Sequence, residues 1–162
     1  MTDRDRDESG RARNARPRDA LGRPLPPGSV GVPRIPDDLE LPPAESLDFA
    51  QRLLDEGLAF HAHEVLEAAW KQAPPADRQL WQGLAQLAVG ITHVQRGNPK
   101  GAKTLLHRAM VRIDGYRTHG IDVPGLIEFA RALLADLEAD RAVPPEQLRP
   151  ALRLPPGPTH PR

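Results

Sequence analysis

The stretch Phe60-His61-Ala62-His63-Glu64-Val65-Leu66-Glu67-Ala68-Ala69-Trp70 gathers the side chains best suited to chemistry in this chain. If it is helical, His63 and Glu67 stand one turn apart and project together at the edge of an apolar face. An imidazole and a carboxylate so placed can share a divalent ion, with Zn, Mn or Fe as the candidates. Glu64, about 100° round the helix, could then act as the catalytic base that deprotonates a bound water. The same spacing also produces ordinary hydrogen bonds or weak ion pairs on helix surfaces, so both readings stand at this point. Two ligands do not complete a metal site. The nearest candidate for a third is His93, which shares a helical stripe with Gln82 and Gln86. This polar line of amide, amide and imidazole could face His63 and Glu67 if its helix packs antiparallel to theirs, or it could simply be solvated.

The elements that must position these groups are helices. Glu45 to Glu56 sets Leu47, Ala50, Leu53 and Leu54 at core-facing spacing and stops at Gly57. Leu58 to Gln72 places Ala62, Val65, Leu66, Ala69 and Trp70 on one face and stops at Pro74-Pro75. Asp77 is the expected cap of a third helix, where Leu80, Leu84, Leu87, Ile91 and Val94 form an apolar stripe. Gly83 and Gly90 leave that helix a smooth strip for a close neighbour, in the same chain or in a second copy. Arg96-Gly97-Asn98-Pro99 reads as a stop, a cap and a first helical position in succession. A fourth helix runs from there to about Tyr116, with Ala102, Leu105, Leu106, Ala109 and Ile113 inward, and a fifth repeats Leu126, Ala130, Leu133 and Leu137. The fold class is therefore all-α, a compact bundle of about five helices with antiparallel neighbours. Trp70 and Trp81 are expected as core anchors, and His61, two residues from His63, as exposed. His107 and His119 are expected to lack any constellation around them.

Proline marks the domain limits. Of the 19 prolines, only Pro74, Pro75, Pro99 and Pro124 fall between Ala44 and Val143. Residues 1–43 mix both charge signs with Pro and Gly and lack apolar period, so they read as a disordered tail, and 143–162 read likewise. Within the first tail, Leu25, Val30, Val32 and Ile35 could lie as an extended strap on the helical domain, 44–142.

Composition excludes several classes. The chain has no cysteine, so a metal would need His, Asp or Glu ligands. Lys plus Arg equals Asp plus Glu at 22 each, and aromatic residues make up only 4%, which argues against nucleic acid as a partner. No run approaches the ~20 apolar residues of a membrane span, and Met1 to Gly10 is charged, so a cytoplasmic location with no membrane partner is expected.

Three separated motifs carry a resemblance: H-E-V-L-E-A-A-W at His63 to Trp70, W-Q-G-L-A-Q-L-A at Trp81 to Ala88, and H-V-Q-R-G-N-P-K-G-A at His93 to Ala102. In this order and spacing the chain resembles the Domain of Unknown Function 309 family of bacterial and archaeal proteins, a compact helical fold. The resemblance covers roughly Ser46 to Ile113 and neither tail. Some members carry the label "predicted metal-dependent hydrolase", which implies roles for His63, Glu64 and Glu67 here. Written as H-E-x-x-E, the first motif differs from the H-E-x-x-H of zinc proteases in having Glu67 at the second histidine.

Two functions follow. One is a domain with a metal- or ligand-binding site, hydrolase-like, acting on a small molecule through Glu64 with His63, Glu67 and His93 as ligands. The other is a non-catalytic interaction module for self-association or a protein partner. Gly97-Asn98 through Gly101-Ala102, Leu106 and Ala109 are similar to the second half of a tetratricopeptide-like hairpin, although Trp81 lies too far ahead to complete it.

Overall fold

A computed structural model describes residues 16–155, and within them the chain forms five α-helices joined by short turns. They are α1 (Pro43–Asp55), α2 (Ala59–Gln72), α3 (Arg78–Gln95), α4 (Pro99–Ile113) and α5 (Val123–Glu138). No described helix is long and apolar enough to cross a membrane. The all-α bundle is as the periodicity requires. Helix α3 is central, packing along α2 on one side and α4 on the other, while α1 covers α2 and α5 covers α4.

Two turns share one device. Glycine follows the helix end in the left-handed region at Gly57 (φ 77°) and Gly97 (φ 72°). Its N–H donates to the carbonyl of Leu54 in the first case and Val94 in the second, and the next residue's N–H reaches back to Leu53 or His93. This is the Schellman arrangement, in which the glycine tolerates the backbone that closes off the last free carbonyls. At the second turn Asn98 then caps α4, its side chain accepting from Gly101 N–H at 3.2 Å ahead of Pro99. Asn98→Ala is expected to cost about 1 kcal/mol in chemical denaturation, whereas Asn98→Ser, which keeps a capping oxygen, should retain most of that stability.

Asp77 departs from expectation. It precedes α3 at the end of a 3-10 turn (Pro75–Asp77), but its side chain makes no cap bond. Its carboxylate instead meets His119 across the bundle, Oδ2 to Nε2 at 3.2 Å. At α5 the cap is Asp122, which accepts from Gly125 N–H at 3.0 Å.

The core runs through all five helices, with Trp81 its largest member at 2% exposure. Trp70 only borders it, partly buried. The glycine strip of α3 receives α4: a Cβ on Gly83 would lie 2.6 Å from Ile113 Cγ2, and one on Gly90 would lie 3.0 Å from Leu106 Cδ2. The close neighbour is therefore in the same chain.

The packed unit also extends beyond 44–142 on both sides. Ile35 joins the core from the N-terminal segment, and Leu148 and Leu152 join it from the C-terminal one. Gln51 of α1 holds the latter with both ends of its amide, donating to Pro150 O at 3.0 Å and accepting from Leu152 N–H at 2.8 Å. Asp122 N–H donates to Leu152 O, and Leu154 N–H donates to Gly120 O. These contacts give irregular backbone the partners it would otherwise take from water. Residues 1–15 and 156–162 of the expected tails lie outside the described residues.

Candidate functional site

Helix α2 begins immediately after the Gly57 turn, and this fixes which of its faces meets α3. Ala62, Val65 and Leu66 are fully buried there, so His63, Glu64 and Glu67 fall on the flank. His63 Nε2 lies 3.0 Å from Glu67 Oε2, as the spacing requires. The other carboxylate oxygen of Glu67 faces Lys71 Nζ at 3.7 Å. The hydrogen bond from His63 holds the Glu67 carboxyl below its ordinary value, while burial pushes Glu64 up despite His63 and Arg18 nearby.

Above this flank runs the N-terminal segment, residues 16–42, which we term the strap. It contains no helix and is built from turns, the first of them closed by Asp19, whose Oδ1 accepts from Leu21 N–H and Arg23 N–H at 3.0 and 2.9 Å. Its anchor on the domain is Phe60. The guanidinium carbons of Arg18 and Arg96 lie 4.9 and 5.6 Å from the Phe60 ring centre, and Arg96 Nε donates to Leu21 O at 2.9 Å. Gly22 approaches the same ring so closely that a Cβ would fall 2.1 Å from it. No other residue type fits at that point.

Between strap and helix lies a cavity of about 210 Å³, roofed by Ile35, Pro36 and Asp37 and floored by Phe60, His63, Glu64, Glu67, Ala68 and Lys71. The cleft therefore combines an apolar wall, three carboxylates, one ammonium and one imidazole. The strap's contribution to it was not legible as a site, because Asp37 lies 26 residues before His63 in sequence and only the fold brings them together.

Other expected members are elsewhere. His93 occupies the Schellman turn at the end of α3, its carbonyl accepting from Asn98 N–H and its Nδ1 3.1 Å from Asn98 Nδ2. Because α2 and α3 are antiparallel, that turn lies beside the start of α2, where Gln95 Nε2 donates to Gly57 O at 2.9 Å. Gln82 and Gln86 are half-buried on α3, and neither they nor His93 line the cleft. Among the described residues no three His, Cys, Asp or Glu side chains are grouped so as to hold a metal ion. The donor chemistry agrees: one oxygen of Glu67 is paired with His63 Nε2 at 3.0 Å and the other faces the Lys71 ammonium at 3.7 Å. The residues present do not fit a resident metal.

Two histidines correct the sequence reading outright. His61 is not exposed; the strap covers it to 2% exposure, and its Nδ1 is buried without a hydrogen-bond partner among the described residues. Burial, then the Arg18 charge, lowers its pKa. His119 does have a constellation, since its ring packs 5.7 Å from Trp81 and pairs with Asp77. It holds this position with φ at 57°, a conformation uncommon outside glycine. His107 is exposed.

Comparison with known proteins bears on the helical part alone. Residues 47–105 match the model of a family described as "Domain of unknown function (DUF309)". "Uncharacterized protein YpuF" of Bacillus subtilis (strain 168) is 34% identical over 90 residues, covering 49% of this chain and 48% of that protein. The chain thus spans about half the length of this curated relative. No solved structure gives a significant match. The matched segment carries His63, Glu64 and Glu67 on α2 and the Gly97-Asn98 turn, but not the strap that roofs the cleft. Residues 47–105, running from α1 into α4, are thus similar to the Domain of unknown function (DUF309) family.

Proposed function

We propose that the domain binds a small molecule in the cleft between α2 and the strap, with His63, Glu64 and Glu67 holding its polar group. The observation that carries this reading is the cavity of about 210 Å³ into which one flank of α2 directs all three residues. A concave site with an apolar wall and a few convergent polar groups, one with a perturbed pKa, is the usual form of a ligand pocket. Binding is favoured over hydrolysis by two features. A proton relay through His63 needs both ring nitrogens, yet Nδ1 is buried without a partner and Nε2 is engaged by Glu67. The metal-dependent route is disfavoured because no ligand set is grouped among the described residues.

Ligand-observed NMR with a panel of small amines, carboxylic acids and neutral amides tests the reading, alongside elemental analysis after equilibration with Zn, Mn and Fe. We expect at least one fragment class to bind the full chain and to lose at least tenfold in affinity in Glu64→Gln and Glu67→Gln, with no stoichiometric metal. Binding unaffected by either substitution, or no binding in any class, would overturn the cleft as the site. Stoichiometric metal lost in both His63→Ala and Glu67→Ala would replace this reading with the hydrolase.

A further inference from the structure

Irregular backbone with few buried apolar side chains marks the part of a fold that opens first, and the strap has both features. Of its large apolar residues only Ile35 enters the core, with Leu39 beside it, while Leu21, Leu25 and Val32 are half-buried and Val30 is 97% exposed. Its polar ties to the helices include Arg96 Nε to Leu21 O at 2.9 Å and Gln72 Nε2 to Leu39 O at 2.5 Å. We propose that the strap is a lid, which undocks from α2 without unfolding of the helices and so gates the cleft. The gate concerns a ligand only on the reading given above; the undocking does not depend on it.

Docking carries its own costs. It seals His61 to 2% exposure with Nδ1 lacking a partner among the described residues. It also leaves a gap of about 20 Å³ between His61 and Arg18, Val32 and Arg34, so contact there is incomplete. And it gathers cations: Arg18 and Arg96 lie over one ring, and burial, then Arg23 and Arg18, hold the Arg96 guanidinium below its ordinary pKa, with Asp19 a partial offset. Undocking returns these groups to water. The strap's internal bonds carry release at Phe60 to the roof, since Arg18 Nη1 donates to Gly22 O at 2.6 Å, Leu25 N–H to Pro17 O at 2.7 Å and Val32 N–H to Arg18 O at 2.9 Å. Phe60, which meets Gly22 and floors the cleft, is where clamp and site coincide.

Trypsin cleavage of the full chain under native conditions tests the lid. Of the strap's four arginines, Arg16 and Arg23 precede proline and resist the protease, leaving the bonds after Arg18, near the clamp, and Arg34, beside the roof. Gly22→Leu, which cannot approach Phe60, should speed both cuts roughly tenfold or more with the helical circular dichroism unchanged. His61→Leu, which removes the unpaired nitrogen, should slow them several-fold. Strap cuts should respond weakly to urea and cuts within the helices steeply, because local opening exposes less surface. The chain has no cysteine, so Ala68→Cys places one thiol on the cleft floor. A polyethylene-glycol maleimide, too large for the closed cleft, should label it faster when Gly22→Leu is added, in step with the Arg34 cut. Cleavage after Arg34 that ignores either substitution, or that shares the urea dependence of the helix cuts, would overturn the lid. So would one labelling rate with and without Gly22→Leu, because the cleft would then be open while the strap is docked. Failure of every fragment to bind removes the cleft reading and leaves these rates as they are, so the two fail separately.

Discussion

Replacing Trp81 with alanine should lower the unfolding free energy by roughly 3–5 kcal/mol, the range for truncating a large, fully enclosed aromatic side chain. Trp81 is 2% exposed and sits at the start of the central helix, where α3 is flanked by its neighbours. It also supports the His119 ring at 5.7 Å, and through it the Asp77 contact that ties the α2–α3 turn to the loop before α5. The cavity left by alanine would therefore loosen two connections as well as the core. Trp70→Ala, for which the helical pattern alone predicts the same cost, should lose much less, because Trp70 is only partly buried at the core's edge. Urea denaturation of both variants, compared at constant m-value, checks the contrast. A loss below about 1 kcal/mol for Trp81→Ala would mean that the core repacks around the gap.

The difference between the two tryptophans shows where sequence reasoning works. Everything local was legible: the apolar spacing of each helix, the glycine stops at Gly57 and Gly97, the Asn98-Pro99 start of α4, and the His63–Glu67 pair. Each of these depends on residues within about one turn of one another, so the chain's own geometry determines it. What failed depends on partners far along the chain. His61 projects away from the α3-facing side of α2, and an exposed histidine is the natural reading until a strap some 30 to 45 residues earlier is laid over it. Asp77 has the residue type of a cap, yet His119, 42 residues later, takes its carboxylate. His93 was placed in a metal set by its stripe with Gln82 and Gln86, but the Schellman turn at the end of its own helix claims it.

The strap also explains why the candidate site was only half legible. Its sequence has the composition of a segment unable to form a core of its own, with seven of the chain's 19 prolines within residues 16–42. It does not need one. Ile35 inserts into the helical core, and Gly22, Arg18 and Leu21 fasten the rest around Phe60 and Arg96. Composition reports whether a segment can fold alone, and says little about whether it can dock on a surface already folded. The cleft roof, the burial of His61 and the small cavity all follow from that docking.

Gly83→Leu should be the other severe substitution, with an expected loss of about 3 kcal/mol or more, because there is no room for even a methyl group at that point. A Cβ on Gly83 would meet Ile113 Cγ2 at 2.6 Å, Arg112 Cβ at 3.0 Å and the carbonyl oxygen of Ala109 at 3.3 Å. Ile113 is itself 1% exposed, so it cannot turn away into solvent, and the backbone of α4 would have to move as a unit. Gly90, one heptad along the same strip, provides the control. Its added Cβ would meet Leu106 at 3.0 and 3.1 Å through the side-chain atoms Cδ2 and Cγ, so Leu106, although fully buried, has to give by only a few tenths of an ångström, less than the 2.6 Å approach at Gly83 demands. Alanine also gains up to about 1 kcal/mol of helix propensity over glycine. Gly90→Ala should therefore lie within about 1 kcal/mol of the parent in urea denaturation, while Gly83→Ala, facing the less yielding wall, should be the more destabilised of the two despite gaining the same propensity. Equal losses at the two positions would mean that α4 is free to slide along α3, and the seam between the helices would then not be set by the glycine nearest Ile113.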